Sequence, residues 1–480
     1  MLSKTRFFFT KNLFVLNTLA QTKVSNLNIA RKQPSKLRQI FQSFNPQRLY
    51  NTRSMGNTSS IVNKNLVRFT QTRAKKSSGP IIIDRKIGYW LIGTSGLVFG
   101  IVVLGGLTRL TESGLSITEW KPVTGTIPPL TQEDWELEFT KYKDSPEFKQ
   151  LNAFMTLDEF KFIFKMEWAH RQMGRLIGMF FVLPALYFWK SGKFNKYVGK
   201  RVVGLTALLG LQGAIGWWMV KSGLDEEELK ERNSKPSVSQ YRLTTHLGAA
   251  FLMYLGVLWT AFGILNENSW VKNLNNSKTS ESVKKLLLQL NSPALKKTKL
   301  IGAGLLCLTY VTAMSGGMVA GLDAGLIYNT FPHMGDDYIP SSNELMDPIY
   351  ARKLDKSDLW WRNILENPTT VQLVHRIFAT TAFFAILAGH MFVNKNKAII
   401  PKPAVKAMHG MMGLATLQVA LGISTLIYLV PIPLAAAHQA GALALLTGCL
   451  VFSARLKKPR PEVMNYINKM MKDQLIKPKI

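Results

Sequence analysis

The chain of 480 residues has only two cysteines, Cys307 and Cys449, and both lie inside apolar runs. Two isolated cysteines exclude a disulfide framework, a CxxC zinc site and a CxxCH covalent attachment motif. Acidic residues are also scarce: 29 Asp and Glu stand against 60 Lys and Arg, which gives a formal net charge of +31. The basic residues form no soluble domain, which argues against a nucleic-acid-binding protein. They alternate with long uncharged runs, as is typical of a multi-span membrane protein.

The first 83 residues contain 15 Lys or Arg and no acidic residue, and Asp84 is the first acid. Ser, Asn, Gln and Thr fill much of the remainder. An acid-free, Arg-rich and hydroxyl-rich leader matches a mitochondrial transit peptide. Its apolar stretches, such as 7–9, are too short to span a bilayer. Residues 1–83 are therefore predicted to be a mitochondrial leader, and the alternative is a basic tail on a membrane protein of another compartment.

Eight later segments are apolar enough to cross a bilayer as helices, which takes about 20 residues each. The predicted spans are 87–107, 170–189, 202–220, 243–265, 300–322, 371–393, 407–429 and 434–453. The second is the weakest, because Arg171 and Arg175 interrupt its first turns. The predicted fold class is an all-α membrane protein with eight transmembrane helices.

The charges of the connecting segments predict how these helices are oriented. Lys and Arg exceed Asp and Glu in one set of segments, namely 190–201, 266–299, 394–406 and 455–480. The other set is acidic or neutral, namely 112–166, 221–242 and 323–370. Positively charged segments stay on the inner side of a membrane. We therefore expect a multi-pass protein of the mitochondrial inner membrane with both termini in the matrix.

The first four predicted spans recur in the last four. The segment that starts at Gly105 aligns without a gap on the segment that starts at Gly316. The matched pairs are Gly105 and Gly316, Glu112 and Asp323, Trp120 and Phe331, His170 and His375, Gln212 and Gln418, Gly216 and Gly422, and His246 and His438. Each copy has an even number of spans, so the copies are parallel.

The repeat predicts two four-helix bundles and a simple domain organisation. The first bundle covers residues 87–265 and the second covers 300–456. A matrix linker at 266–299 joins them, and a basic matrix tail follows at 457–480. Paired glycines at the ends of the first and fifth spans would let helix backbones approach closely.

Four of the seven histidines occupy matched positions near the outer ends of even-numbered spans: His170, His246, His375 and His438. Ionisable residues inside spans are costly and usually functional. One pair in each bundle suits two axial ligands that face each other across a haem. The alternatives are a helix-to-helix hydrogen bond for each histidine, or a zinc or copper site shared by all four. The other histidines are predicted to be interfacial, packing or surface residues: His390, His409 and His333.

The two copies differ one turn before the first histidine, where Glu167 in the first matches Gln372 in the second. A carboxylate beside His170 can accept or relay protons. The first copy is therefore predicted to be the reaction centre and the second an electron relay. The alternative is that Glu167 only pairs with a nearby arginine. Arg171 and Arg376 each follow a ligand and are predicted to pair with haem propionates, with snorkelling to the membrane surface as the alternative.

Three further polar residues stand in or beside the spans. Arg109 lies three residues before Glu112, and we expect either a local ion pair or a second propionate contact. The matched Gln212 and Gln418 are predicted to form hydrogen bonds within their bundles.

These motifs make the chain similar to the haem A synthases, in their long mitochondrial form. The resemblance covers about residues 87–456. It rests on GGLTRLTESGLSITEWKPVTGTIPP at 105–129, EWAHRQMGR at 167–175, LVHR at 373–376 and the histidines His246 and His438. The repeated four-helix layout matches as well.

The resemblance implies an enzyme that oxidises the C8 methyl group of haem O to a formyl group by successive hydroxylations. The product, haem A, serves cytochrome c oxidase. By the same resemblance, His170 and His246 would hold haem O beside Glu167 as the catalytic carboxylate, and His375 and His438 would ligate haem b. A haem O synthase and a ferredoxin-type electron donor are the implied partners, and a homo-oligomer is left open.

Some bacterial members carry a cysteine pair in the first outer loop, but 108–169 contains no cysteine here. A thiol step in that loop is therefore excluded for this chain. The main alternative function is a di-haem b-type electron carrier without substrate chemistry. A transporter or assembly factor is a further alternative.

Overall fold

A computed structural model describes residues 79–121, 124–232 and 234–476, so most of the predicted leader lies outside the described residues. Within this part, helices are the regular elements and no β-strand is formed. The helices are α1 Arg85–Leu110, α2 Gln132–Lys143, α3 Pro146–Leu151, α4 Leu157–Lys190, α5 Lys196–Leu224, α6 Glu226–Arg232, α7 Gln240–Leu274, α8 Ser277–Asn291, α9 Lys296–Gly321, α10 Ser342–Leu345, α11 Leu359–Glu366, α12 Pro368–Lys395, α13 Lys402–Ile427, α14 Ile432–Arg455 and α15 Pro461–Ile476.

Every predicted span is helical to within two residues at each end. By length and composition, seven helices of the described part can cross a membrane, namely α1, α5, α7, α9, α12, α13 and α14. The remaining predicted span, 170–189, forms the second half of α4. It is less apolar than the other seven because it carries Arg171 and Arg175. The predicted count of eight spans is therefore not confirmed in full.

Helix α4 begins 13 residues before the predicted span because its start is capped. The side chain of Thr156 accepts a hydrogen bond from the backbone N–H of Glu159, and the Glu159 carboxylate accepts one from the Thr156 N–H at 2.8 Å. This capping box satisfies two free donors of the first turn. The apolar pattern missed these turns because charged residues interrupt it. Because α4 begins this early, Glu167 and His170 lie on one continuous helix.

The eight long helices form two sets of four with the same neighbours. In the first set α1 and α5 each pack against both α4 and α7. In the second set α9 and α13 each pack against both α12 and α14. The sets meet where α1 and α7 contact α14 and where α9 contacts α7. This arrangement follows the sequence repeat helix by helix.

A backbone feature recurs at matched positions and supports the alignment. Glu112 and Asp323 follow α1 and α9, and their φ angles are 50° and 51°. This left-handed conformation is uncommon for residues other than glycine. The Arg109 guanidinium lies 2.7 Å from the Asp323 carboxylate, and Lys235 lies 2.9 Å from its other oxygen. Of the two possibilities for Arg109, the local pair with Glu112 is therefore wrong, because the partner of Arg109 belongs to the other set. The propionate contact stays a prediction.

The segments predicted as linker and tail are largely helical. Helix α7 extends to Leu274, α8 follows it, and α15 forms most of the described tail. At this end of the molecule, both oxygens of the buried Glu267 carboxylate accept hydrogen bonds from the Arg460 guanidinium, the shortest at 2.8 Å to Oε1 and 2.6 Å to Oε2. This ion pair fastens the start of the tail to α7, at the end of the helices away from the matched histidines.

Candidate functional site

One large cavity runs along both sets of helices and has a volume of about 2170 Å³. Pockets for small molecules typically measure about 300–1,000 Å³. Each of the site residues predicted from the sequence lines it, namely Glu167, His170, Arg171, His246, His375, Arg376 and His438. The matched aromatic residues Trp120 and Phe331 line it too. The structure therefore brings the predicted site together around a space large enough for more than one sizeable ligand.

Each matched histidine rests its ring on a glycine of the neighbouring helix. A Cβ atom added to Gly105 would lie 2.9 Å from Cε1 of His170, and one added to Gly316 would lie 3.1 Å from Cε1 of His375. The same holds for Gly216 with His246, at 3.2 Å, and for Gly422 with His438, at 2.8 Å. A larger residue at these positions would push the ring aside. We call these four glycines the glycine seats, because each leaves the space that a histidine ring occupies.

The histidines have the free nitrogens that axial ligands need. Among the described residues, no group forms a hydrogen bond with Nε2 of His170, His246, His375 or His438. The buried Nδ1 atoms of His170 and His246 also have no hydrogen-bond partner in this part of the chain. In the same residues, no three His, Cys, Asp or Glu side chains are grouped to hold a metal ion. Two neutral imidazoles per helix set fit a metalloporphyrin.

Glu167 is only 3% exposed, and three groups hold its carboxylate on the cavity wall. One oxygen accepts hydrogen bonds from the Ser116 hydroxyl at 2.7 Å and the Ile117 N–H at 2.8 Å. The other oxygen accepts from Arg171 at 2.6 Å. The pairing with arginine that the sequence left open is present. The carboxylate nevertheless faces the same cavity as His170, so pairing and a chemical role are compatible.

The second helix set places an amide in the matched position. The Gln372 side chain donates to the Ala324 carbonyl oxygen at 2.8 Å and accepts from Arg376 at 3.2 Å. An amide cannot take up a proton at ordinary pH. The two sets therefore share one geometry but differ in acid–base chemistry.

Arg171 and Arg376 also fasten the outer loops in the same way. Arg171 donates to the carbonyl oxygens of Ile117 and Glu119, at 3.0 and 3.2 Å. Arg376 donates to the carbonyl oxygens at the matched positions, those of residues 328 and 330, at 3.1 and 3.0 Å. These bonds fix the loops over the cavity. Pairing with propionates stays a prediction.

The glutamines behave as expected within their sets. Gln212 donates to the carbonyl oxygen of His246 at 3.2 Å, and Gln418 donates to that of His438 at 3.0 Å. Of the histidines outside the repeat, His390 and His409 form a ring-to-ring hydrogen bond of 2.8 Å. The sequence did not predict this contact, because the two residues lie on different helices and neither aligns with a histidine in the other copy of the repeat.

A buried carboxyl group in the first outer loop was also missed. Glu147, on α3, lines the cavity and is 5% exposed. It accepts a hydrogen bond from the Tyr142 hydroxyl at 2.9 Å, and that hydroxyl accepts one from Asn152 at 2.8 Å. Burial raises the pKa of Glu147 to about 7, and the nearby carboxylates of Glu167 and Glu112 add to the effect. Segment 112–166 contains ten acidic residues, so the sequence could not single out Glu147.

Replacing Glu147 by Gln should make the stability of the protein less sensitive to pH. The pKa of Glu147 is about 7 in the folded chain and 4.5 as its reference value. Its contribution is therefore complete below pH 4.5 and is lost as the pH rises through 7, by up to about 3 kcal/mol. We expect Glu147→Gln to raise the melting temperature relative to wild type more at pH 8 than at pH 5. The exposed Glu133, changed to Gln, is the control, and equal shifts at both pH values would contradict the assignment.

The fold and the site together define a class of protein, a multi-span helical membrane protein with an internal repeat. Each copy of the repeat contributes one pair of histidines to the wall of a shared cavity. The COX15-CtaA family model, described as cytochrome oxidase assembly protein, matches residues 88–450. The chain belongs to this family.

Named relatives agree with this assignment. The chain is 61% identical over 384 residues to "Heme A synthase COX15" of Saccharomyces cerevisiae, which covers 80% of this chain and 78% of the relative. It is 44% identical over 375 residues to the human protein of the same name, which covers 78% of this chain and 83% of the relative. "Heme A synthase-mitochondrial ferredoxin fusion protein" of Schizosaccharomyces pombe is 50% identical over 378 residues, 78% of this chain and 60% of the fusion.

Proposed function

We propose that the chain is a haem A synthase, an oxidoreductase that acts on a C–H group. It converts the C8 methyl group of haem O to a formyl group through successive hydroxylations. One observation carries the proposal: two matched histidine pairs share a cavity, and only the first has a buried carboxylate one turn from its ligand. The names of the family relatives support the same reaction.

In this proposal His170 and His246 hold the substrate haem O, and His375 and His438 hold a resident haem b. The free Nε2 atoms and the glycine seats support both assignments, because they leave room for a ligand on the cavity side of each ring. When bound, haem b would supply one-electron transfer to the first helix set. Arg171 and Arg376 lie one position after the ligands and would face the propionates at the outer end of the cavity.

Glu167 is the residue that handles protons. Each hydroxylation with oxygen as the oxidant takes up two electrons and two protons and forms one water, so protons must be delivered into a cavity that is mostly apolar. The Glu167 carboxylate can accept and relay them because Ser116 and the Ile117 N–H hold one of its oxygens in a fixed position. Arg171 pairs with its other oxygen and holds it in place. The Gln372 amide cannot take up a proton, so the second set is limited to electron transfer.

The membrane setting belongs to the proposal as well. We place α4 in the membrane as an eighth span, with its charged first half at the outer surface, in a protein of the mitochondrial inner membrane with both termini in the matrix. The acid-free leader and the basic inner segments support this orientation. The fusion partner in the name of the fission yeast relative supports a ferredoxin as electron donor. A haem O synthase would supply the substrate.

The direct test is conversion of haem O by the purified protein in lipid vesicles. Reduced ferredoxin and oxygen are supplied, and the extracted haems are separated by chromatography. The proposal predicts a hydroxylated intermediate followed by haem A. Haem O that stays unchanged while bound haem b is reduced would instead identify an electron carrier.

Replacing Gly105 by Ala should weaken haem O binding while the fold is kept. The new methyl group would lie 2.9 Å from Cε1 of His170 and would turn the ring away from the cavity. We expect about a 10-fold loss of affinity or more, as is typical when a ligating histidine is no longer held in orientation, read by titration with haem O. Gly96→Ala on the same helix is the control, because nothing lies within 4 Å of its added Cβ. Equal affinities for haem O in Gly105→Ala and Gly96→Ala would show that the space at Gly105 does not affect haem binding.

A further inference from the structure

The two helix sets differ in how they hold the second nitrogen of the first histidine. Nδ1 of His375 lies 2.8 Å from the Ser315 hydroxyl oxygen. The Ser315 hydroxyl donates its only proton to the Thr312 carbonyl oxygen at 2.7 Å. The oxygen therefore accepts a hydrogen bond from Nδ1–H. This fixes the tautomer of His375 and leaves the Nε2 lone pair free for iron.

The first helix set has no equivalent contact. The repeat aligns Ser315 with Leu104, one position before the glycine seat in each copy. Leucine offers no hydroxyl, and Nδ1 of His170 is buried with no hydrogen-bond partner among the described residues. The second histidines do not repeat this contrast. The Gln418 amide nitrogen lies 3.1 Å from Nδ1 of His438, but it is a donor and cannot accept a hydrogen bond from Nδ1–H as Ser315 does.

A hydrogen bond to the outer nitrogen of a ligating imidazole orients the ring and makes it a stronger donor. Loss of such a partner typically costs about 10–100-fold in metal affinity. A resident haem must be retained through many turnovers, whereas a substrate haem must leave as product. The contact at Nδ1 of His375 and its absence at Nδ1 of His170 match that difference between the two sets.

We propose that Ser315 is a positioning residue that fixes His375 as a permanent haem ligand, and that leucine at position 104 keeps the first haem exchangeable. This inference rests on the proposed function, because it assigns the resident haem to the second set. Ser315 acts only through His375 and does not line the cavity.

Three variants of the full chain test this inference. Ser315→Ala removes the hydroxyl, Ser315→Thr keeps it, and Leu104→Ser introduces one that can donate to the carbonyl oxygen three residues earlier, as Ser315 does. Two readouts are used: the rate at which each haem transfers to haem-free myoglobin, and the reduction potential of haem b by optical titration.

We expect Ser315→Ala to lose haem b about 10–100-fold faster than wild type. Its reduction potential should rise, because a weaker axial donor stabilises the oxidised iron less. Ser315→Thr should behave like wild type. Leu104→Ser should slow the release of haem O or haem A from the first set by a similar factor.

Unchanged haem b retention and potential in Ser315→Ala would overturn the role of Ser315. An unchanged rate of haem release from the first set in Leu104→Ser would overturn the proposal that leucine at position 104 keeps this haem exchangeable. Failure of the proposed function gives a different pattern. In that case the variants change haem retention as expected, but wild-type protein makes no haem A.

Discussion

Changing Glu167 to Gln should leave both haem sites occupied and lower haem A output by about 100-fold or more, the range typical of a lost acid–base group. Glutamine preserves the size of the side chain, and its carbonyl oxygen can still accept from Ser116 and the Ile117 N–H. What disappears is the capacity to take up a proton. The measurement is the ratio of haem A to haem O after incubation with electron donor, with total bound haem determined on the same sample.

The control for this variant is Glu231→Gln, an exposed glutamate on α6 that does not line the cavity. It should leave haem A output unchanged. Normal output from Glu167→Gln would remove Glu167 from the mechanism and leave the ion pair with Arg171 as its only role. Loss of haem O binding in that variant would show instead that the carboxylate serves mainly to build the site.

Changing His375 to Ala should abolish retention of haem b and, with it, haem A formation. The substitution removes one of the two proposed axial ligands, and the other, His438, would be left to hold the iron alone. Purified protein should carry the first-set haem only, which is seen by chromatography of the extract. His170→Ala is the mirror variant, and it should lose the substrate haem but keep haem b.

His409→Ala controls for general damage to this set. His409 also lies on a long helix and bonds another histidine, but its ring is not part of the cavity wall. This variant should keep both haems. Normal haem b in His375→Ala would overturn the ligand assignment for the second set.

The sequence predicted the helical class, the repeat and the site residues that line the cavity, because each depends on a pattern along the chain. Apolar runs give helices, and motifs in register give matched histidines. The start of α4 could not be predicted in this way, since charged outer turns interrupt the apolar run. The contacts of Glu147 and Ser315 could not be predicted either. Each depends on which side chain another helix or loop brings into contact, and single-chain patterns do not contain that information.

The paired glycines at the ends of α1 and α9 were predicted from the sequence only in part. Their recurrence predicted close approach of helix backbones, and the structure shows that Gly105 and Gly316 admit histidine rings instead. The matched Gly106 and Gly317 do approach the other helix set, where Cβ atoms would meet Gln439 and Thr244. Adjacent glycines thus serve two purposes, the site and the interface between the two sets.

The measurement that tests the central claim most directly is extraction and chromatography of the haems bound to the purified wild-type protein after haem O is supplied. The account predicts haem b together with haem O, its hydroxylated intermediate or haem A. Protein that carries haem b alone, or no haem, would contradict the claim that the two histidine pairs hold a substrate and a resident haem.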